Sequence, residues 1–237
     1  MMEMAEKYYD RHSLRVNNAI EKAKSILCDF NERQKSAEIE FPENDGNGKT
    51  YVIKKGWMEA QEHCFRLQDF YCHMDTSEQD RRRILEVLLG KAGEGIIVKP
   101  SITFDFGKNI FMEKDSFLNV NVTILDWAPV YIGEATKIGS DSKLYTVKHS
   151  ICPKQRKKFI LSTNPLVIGK NVWVGGNCTI FGGITIGDNS IVGTGAVITK
   201  DVPKNVIVVG NNKILRKLTS EEIMADFITE NLNVSEN

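Results

Sequence analysis

From Ile168 to Pro203 an aliphatic residue returns at every sixth position: Ile168, Val174, Ile180, Ile186, Val192 and Ile198. Read in sixes the stretch runs IGKNVW, VGGNCT, IFGGIT, IGDNSI, VGTGAV, ITKDVP. That period is neither helical nor the alternation of a lone strand. It marks a parallel β-helix, in which each hexad supplies one flat strand and one corner. The fifth positions (Val172, Cys178, Ile184, Ser190, Ala196, Val202) are small or branched, as a second inward site near a narrow axis requires. The fourth positions are Asn171, Asn177, Gly183, Asn189, Gly195 and Asp201, residue types that tolerate a left-handed backbone at a corner. A β-sandwich with Gly/Asn turns would space its strands less evenly and by more residues.

The period extends upstream. Phe106, Met112, Leu118 and Ile124 are six apart, with Gly107, Asn109, Asp115 and Asn121 expected at corners. After two inserted residues Ile132, Ile138 and Leu144 continue it, with Gly133 and Gly139. Leu144 and Ile168 differ by four hexads, so residues 150–167 are expected as a loop thrown out from the coil without a change of phase. Its KQRKK run, Lys154 to Lys158, reads as a solvated surface.

Ahead of the coil the spacing turns helical. Residues 1–31 predict a helix capped by Ser13, with Leu14, Ala19, Ile20, Ala23, Ile26, Leu27 and Phe30 on one stripe, closing at Asn31. Residues 32–56 are polar, with Pro42, Gly46 and Gly48, and predict a mobile insertion. Trp57 to Met74 is helical through Trp57, Ala60, Cys64, Leu67, Tyr71 and Met74. Thr76 with Gln79 predicts a capping box for a further helix carrying Ile84, Leu85, Val87, Leu88 and Leu89, ended by Gly90. The organisation expected is a helical cap over 1–95, a coil over 96–218, and a tail over 219–237. Thr219 or Ser220 caps a short amphipathic helix in that tail, with Ile223, Met224, Phe227 and Ile228 on one side.

Composition narrows the class. The 31 Lys plus Arg balance 31 Asp plus Glu, so net charge points to neither nucleic acid nor a membrane surface. No long apolar run exists, and the start MMEMAEKYYDRHS lacks the basic-then-apolar layout of a secretion signal, so a soluble cytoplasmic protein is expected. The five cysteines, Cys28, Cys64, Cys72, Cys152 and Cys178, are odd in number and scattered, which favours free thiols.

Of the four histidines, His12, His63, His73 and His149, only the last belongs to the coil. His149 closes the hexad LYTVKH just before the thrown-out loop, where an imidazole facing a pocket can act as a general base near neutral pH. Taken in isolation, a histidine reads more readily as a packed or surface residue. The pair in HCFRLQDFYCH, His63 and His73, lies on a helix whose apolar stripe includes Cys64, so packing is the reading preferred over metal binding.

The blocks NVNVTILD (residues 119–126), VYIG, LYTVKH, IGKNVWVGGN, ITIGDNSIVGTGAVITKDVP and VVGNNKILRKL are similar to the maltose and galactoside O-acetyltransferases of the hexapeptide-repeat family. The resemblance spans roughly residues 100–218, and YYD with the stripe ending AKSILCDFN resembles that family's N-terminal cap. It implies a mainly β fold: a left-handed parallel β-helix with a helical cap and a short C-terminal helix. It also implies a homotrimer with sites between subunits, acetyl-CoA as co-substrate, a sugar or related hydroxylated acceptor, and no metal. His149 matches the family's catalytic histidine; Asn119, Asp105 and Asp10 match acceptor-side positions. Gly176 and Thr194 match positions along the pantetheine arm, Thr199 and Lys200 the family's TK pair, and Lys213 and Arg216 basic positions near the nucleotide phosphates.

Five departures fall largely on the acceptor side. Ser150 replaces the proline after the histidine, the loop lacks the family's further histidines, GNN replaces a GNPA turn, an arginine expected near Ile20 is missing, and Trp127 stands where a carboxylate can occur. A γ-type carbonic anhydrase would need three converging histidines, which this coil lacks. Serine acetyltransferase and a non-catalytic trimeric scaffold are the remaining alternatives.

Overall fold

The computed structural model of the chain describes residues 10–24, 26, 49–51 and 57–224. Helix α1 (residues 10–24) buries Val16, Ile20 and Ala23. Ser13 lies inside this helix and is not its N-cap; the expected close at Asn31 falls outside the described residues. Within the 32–56 insertion, expected to be mobile throughout, Lys49–Tyr51 form a strand, β1, while the rest lies outside the described residues. Helix α2 (Trp57–Cys72) buries Ala60, Cys64, Leu67 and Tyr71 and stops short of Met74, which is fully in solvent.

Helix α3 (Glu78–Leu88) is capped by Ser77, one residue later than the predicted box: Ser77 Oγ accepts from the Asp80 amide at 3.1 Å. Thr76 cannot serve, because its hydroxyl turns back onto the Phe70 carbonyl and meets His12 Nε2 at 2.9 Å.

The coil begins at β2 (Lys91–Ala92), before residue 96, and winds through β3 (Ile97–Val98), β4 (Thr103–Phe104), β5 (Ile110–Met112), β6 (Phe117–Leu118) and β7 (Thr123–Leu125). It continues through β8 (Val130–Ile132), β9 (Lys137–Ile138) and β10 (Lys143–Tyr145). There a hairpin leaves, built of β11 (Val147–His149), helix α4 (Pro153–Lys157) and β12 (Leu161–Thr163). The thrown-out segment thus starts earlier and ends earlier than 150–167, since Leu166 and Val167 are already strand. The coil resumes with β13 (Leu166–Ile168), β14 (Trp173–Val174), β15 (Thr179–Phe181), β16 (Thr185–Ile186), β17 (Ile191–Val192), β18 (Val197–Ile198) and β19 (Val206–Val209). Strand β20 (Lys213–Lys217) folds back antiparallel on β19, and α5 (Ser220–Met224) follows. Thr219 caps α5 in a reciprocal box: its amide donates to Glu222 Oε2, and its hydroxyl accepts from the Glu222 amide.

Strands stack into three parallel faces: β2-β5-β8-β13-β16, β3-β6-β9-β14-β17-β19, and β4-β7-β10-β15-β18. The architecture is a left-handed parallel β-helix of about six turns. Its axis is filled by Met112, Leu118, Ile124, Ile132, Ile138, Leu144, Ile168, Val174, Ile180, Ile186, Val192 and Ile198, all buried. Phe104, not Phe106, holds the strand position, because it pairs with Ile124; Phe106 is the buried residue of a corner lengthened by an insertion like the one before Ile132.

Left-handed backbone occurs at Asn171, Asn177, Gly183, Asn189 and Gly195, as the fourth hexad positions require. Asp201 departs from this: its carboxylate accepts from the Thr185 amide at 2.7 Å, and Asn205 takes the positive φ instead. Fifth-position hydroxyls point inward yet stay satisfied, with Ser142, Thr136 and Ser190 donating to the carbonyls of Gly175, Gly169 and Pro203.

A stack of strands leaves open edges at its first turn, and the cap covers them. Gln68 supplies both halves of a missing strand partner: its Oε1 accepts from the Phe104 amide at 2.6 Å and its Nε2 donates to the Phe104 carbonyl at 2.9 Å. Tyr71 donates to the Val98 carbonyl, and Arg82 donates to the Gly93 and Ala92 carbonyls. Helical side chains thus terminate each face, with Cys64 Sγ joining Gln68 on the Phe104 carbonyl.

Candidate functional site

The site residues expected from sequence fall on two edges of the three-sided coil. The edge between the second and third faces carries Asn119, Gly176 and Thr194. Backbone hydrogen bonds tie its rungs together: Asp141 to Val120, Asn177 to Ser140, Gly195 to Gly176, and Val197 to Gly210. Near its end the edge is bare: a Cβ built on Gly195 or Gly210 would meet nothing within 4 Å. Asn119 is half-buried, and its Oδ1 accepts from the Val120 amide at 2.9 Å.

The edge between the third and first faces carries Asp105, Trp127, the hairpin with His149, and Thr199 with Lys200. His149 is exposed at the end of β11, with Lys148 beside it. Its ring meets the Phe159 ring edge-on at 5.8 Å. Phe159 is held at φ +58°, a left-handed conformation that costs a bulky residue roughly 1–2 kcal/mol. Ser150, in the place of the family's proline, orders the turn: its hydroxyl donates to Gln155 Oε1 at 2.6 Å and accepts from the Cys152 amide at 3.1 Å. Arg156 donates to the Ser150 and Ile151 carbonyls, and no acidic residue occurs between Val147 and Thr163. The hairpin is therefore a positively charged projection around an accessible imidazole.

Below it lies a buried acidic pair that sequence reading half missed. Asp105 accepts from Gln61 Nε2 at 2.8 Å and from Trp127 Nε1 at 2.7 Å, so both its oxygens already have partners. Trp127 packs against Phe106 at 5.1 Å and Trp57 at 5.6 Å. Asp126 is wholly buried, accepting from the amides of Phe106 at 2.9 Å and Asn109 at 3.3 Å. Burial pushes its carboxyl up to about 7, against backbone hydrogen bonds that favour the anion. Burial also raises Asp105, opposed by the Trp127 and Gln61 bonds. The signal for Asp126 was the polar residue closing NVNVTILD, placed where a corner needs its amides satisfied.

These shifts make a prediction. A carboxyl whose pKa is raised by folding is bound more tightly to its proton in the native state, so its stabilising contribution is complete below about pH 4 and is lost as pH rises towards 7. Thermal unfolding of the wild type is expected to weaken across that window by up to roughly 4 kcal/mol. Asp126→Asn should flatten the profile; a wild-type profile rising from pH 4 to 7 contradicts the assignment.

The basic exit is already engaged in part. Arg216 grips Glu222 through two bonds of 2.7 and 2.6 Å, which hold the Glu222 carboxyl down at about 2. Lys213 is exposed. Asn212 joins β20 to the TK pair: its Oδ1 accepts from the Thr199 amide at 2.6 Å and its Nδ2 donates to the Lys200 carbonyl at 3.0 Å. Asp10 is exposed at the start of the described part of α1. His63 is buried beside Cys64, and burial lowers its pKa; His73 instead stacks on His12 at 4.7 Å, so the two rings of the possible metal motif have different surroundings. Ile20, near the missing arginine, is packed in the core.

A six-residue solenoid with a helical cap and an exposed histidine on a hairpin defines a class, and comparison places the chain within it. Residues 165–200 match the family described as hexapeptide repeat of succinyl-transferase. The chain is 35% identical over 139 residues to the galactoside O-acetyltransferase of Escherichia coli, covering 58% of this chain and 68% of that protein. The crystal structure of a maltose O-acetyltransferase from Clostridium difficile superposes with a TM-score of 0.70 at 34% identity, covering 73% of this chain and 94% of the other. A hexapeptide-repeat acetyltransferase from Vibrio cholerae, complexed with acetyl coenzyme A, gives 0.69 at 32% identity, with 73% and 94% covered. The chain belongs to the hexapeptide-repeat acetyltransferases, of the galactoside and maltose O-acetyltransferase type.

Proposed function

We propose that this protein moves an acetyl group from acetyl-CoA to a hydroxyl of a sugar or related small acceptor, with His149 as general base and a homotrimer as the working unit. The observation that carries the reading is the exposed imidazole on a hairpin at one edge, while the edge left bare at Gly195 and Gly210 lies across the third face of the same chain. One copy keeps Asn119 and His149 on different edges, so a site using both needs the hairpin of one copy against the groove edge of another. The Vibrio cholerae relative was crystallised with acetyl-CoA. Here the edge past Gly176, Thr194 and Gly195 offers backbone groups for an extended arm, and Lys213, with Lys200 beyond the far end of β18, offers cations for phosphates.

In this reading His149 takes the acceptor hydroxyl's proton as that oxygen attacks the thioester carbonyl. Backbone N–H groups hold the developing oxyanion, the carbon–sulfur bond breaks, and the proton passes to the departing thiolate. Asn119 orients the acceptor. Asp105 is held by Gln61 and Trp127, so it shapes the acceptor wall through Trp127.

Thiol release from acetyl-CoA, measured across a broad panel of sugars with serine included, tests the proposal. The expected result is acceptor-dependent release, with a sugar outperforming serine, by a species that sediments as a trimer. If no acceptor in the panel supports thiol release and calorimetry detects no CoA binding, a non-catalytic scaffold replaces it.

A further inference from the structure

The hairpin that carries His149 has a third strand. A pair of three-residue strands projecting from a coil is marginal by itself in water. Here β1, from the insertion in the cap, pairs antiparallel with β12, and β12 pairs antiparallel with β11. The rows are Lys49, Thr163, Val147; then Thr50, Ser162, Lys148; then Tyr51, Leu161, His149. Tyr51 and His149 thus occupy one row, two strand spacings apart, about 10 Å. The middle strand β12 keeps Leu161 and Thr163 buried although it lies outside the coil.

The attachment closes a ring. With five residues between them, β1 is followed by α2, which starts at Trp57, whose ring lies 5.6 Å from that of Trp127. Next to Trp127, the Ala128 amide donates to Thr146 Oγ1 at 2.9 Å, and Thr146 is the residue immediately before β11. The hairpin is braced from its base by the corner below and along its outer strand by the cap.

We infer that β1 is a positioning element: by completing a three-stranded sheet it holds β11, and with it His149, in place. The assignment of His149 as base rests on the proposed function; the bracing does not. Alternate residues of an antiparallel strand direct their N–H groups to opposite sides. Of Thr50→Pro and Tyr51→Pro, therefore, one deletes an amide facing β12 and the other an amide facing away.

Hydrogen exchange read by mass spectrometry on the full chain and these variants tests the inference. One proline variant is expected to strip protection from residues 161–163 while peptides over 168–198 keep theirs, which shows that the coil remains folded. In that variant kcat should fall about tenfold with little change in KM for acetyl-CoA. Thr50→Ala, which retains the backbone amide, should behave as wild type. Unchanged protection at 161–163 in both proline variants overturns the inference, and so does lost protection with an unchanged kcat. A wild type that turns over no acceptor refutes the proposed function instead, and the exchange result still decides whether β1 holds the hairpin.

Discussion

His149→Ala is expected to lower kcat for acetyl transfer by about a hundred- to ten-thousandfold, the usual contribution of a positioned general base. The imidazole is exposed and its only ring neighbour among the described residues is Phe159, itself largely in solvent, so removing it empties no core space. Stability should therefore stay within roughly 0.5 kcal/mol of wild type. Gly176 and Thr194, which the proposed function puts against acetyl-CoA, lie on another edge, so KM for acetyl-CoA should change little. Steady-state thiol release and a thermal melt together check this. A variant with turnover within threefold of wild type would mean that another group takes the proton.

The largest loss of stability is expected from Gly133→Ala. This glycine sits where successive turns of the coil touch: an added Cβ would lie 2.3 Å from the Gly169 carbonyl oxygen and 2.7 Å from the Lys170 amide nitrogen. Both are backbone atoms of the next turn, so the methyl group must push two turns apart. Overpacking of this kind typically costs about 1–3 kcal/mol, and more where backbone must move. We expect about 3 kcal/mol, a fall in Tm on the order of 10 °C. Gly195→Ala is the control. Its φ of +74° strains an L residue, yet nothing lies within 4 Å of the new atom, so a loss of about 1 kcal/mol is expected. Equal losses at the two sites would show that conformation, not space, makes the coil need glycine.

Much of the coil was legible because a solenoid turns distant contacts into a local rule. Each hexad meets the same environment as the one above it, so Ile168, Val174 and Ile180 repeat for one reason. The errors came where the rule changes locally. Phe104 and Phe106 are both apolar and both buried, so only the pairing with Ile124 assigns the strand position to Phe104. Thr76 and Ser77 both carry capping hydroxyls, and the partners His12 and Phe70 remove Thr76 from competition. Asp201 looked like a corner residue by type, but its carboxylate is used on the Thr185 amide.

The candidate site divides the same way. His149 could be picked out because it stands next to the segment that breaks the period, although it lies on β11 of the hairpin and not in a coil hexad. The run Thr50, Tyr51, Val52, Ile53 carried a strand signal inside a polar segment, yet nothing local names β12 as its partner. Asp105 looked free to meet an acceptor, and only packing brings Gln61 and Trp127 onto its two oxygens.

The order of residues by itself determined a six-step coil and a helical cap, since each depends on neighbours a few positions away; it assigned His149 to the coil, whereas the structure puts it on the antiparallel hairpin. Tertiary structure alone decided which side chains close the first turn, which edge each candidate residue occupies, and what braces the hairpin. Those depend on contacts between segments dozens of residues apart, where the free energy of pairing belongs to both partners and neither segment alone encodes it.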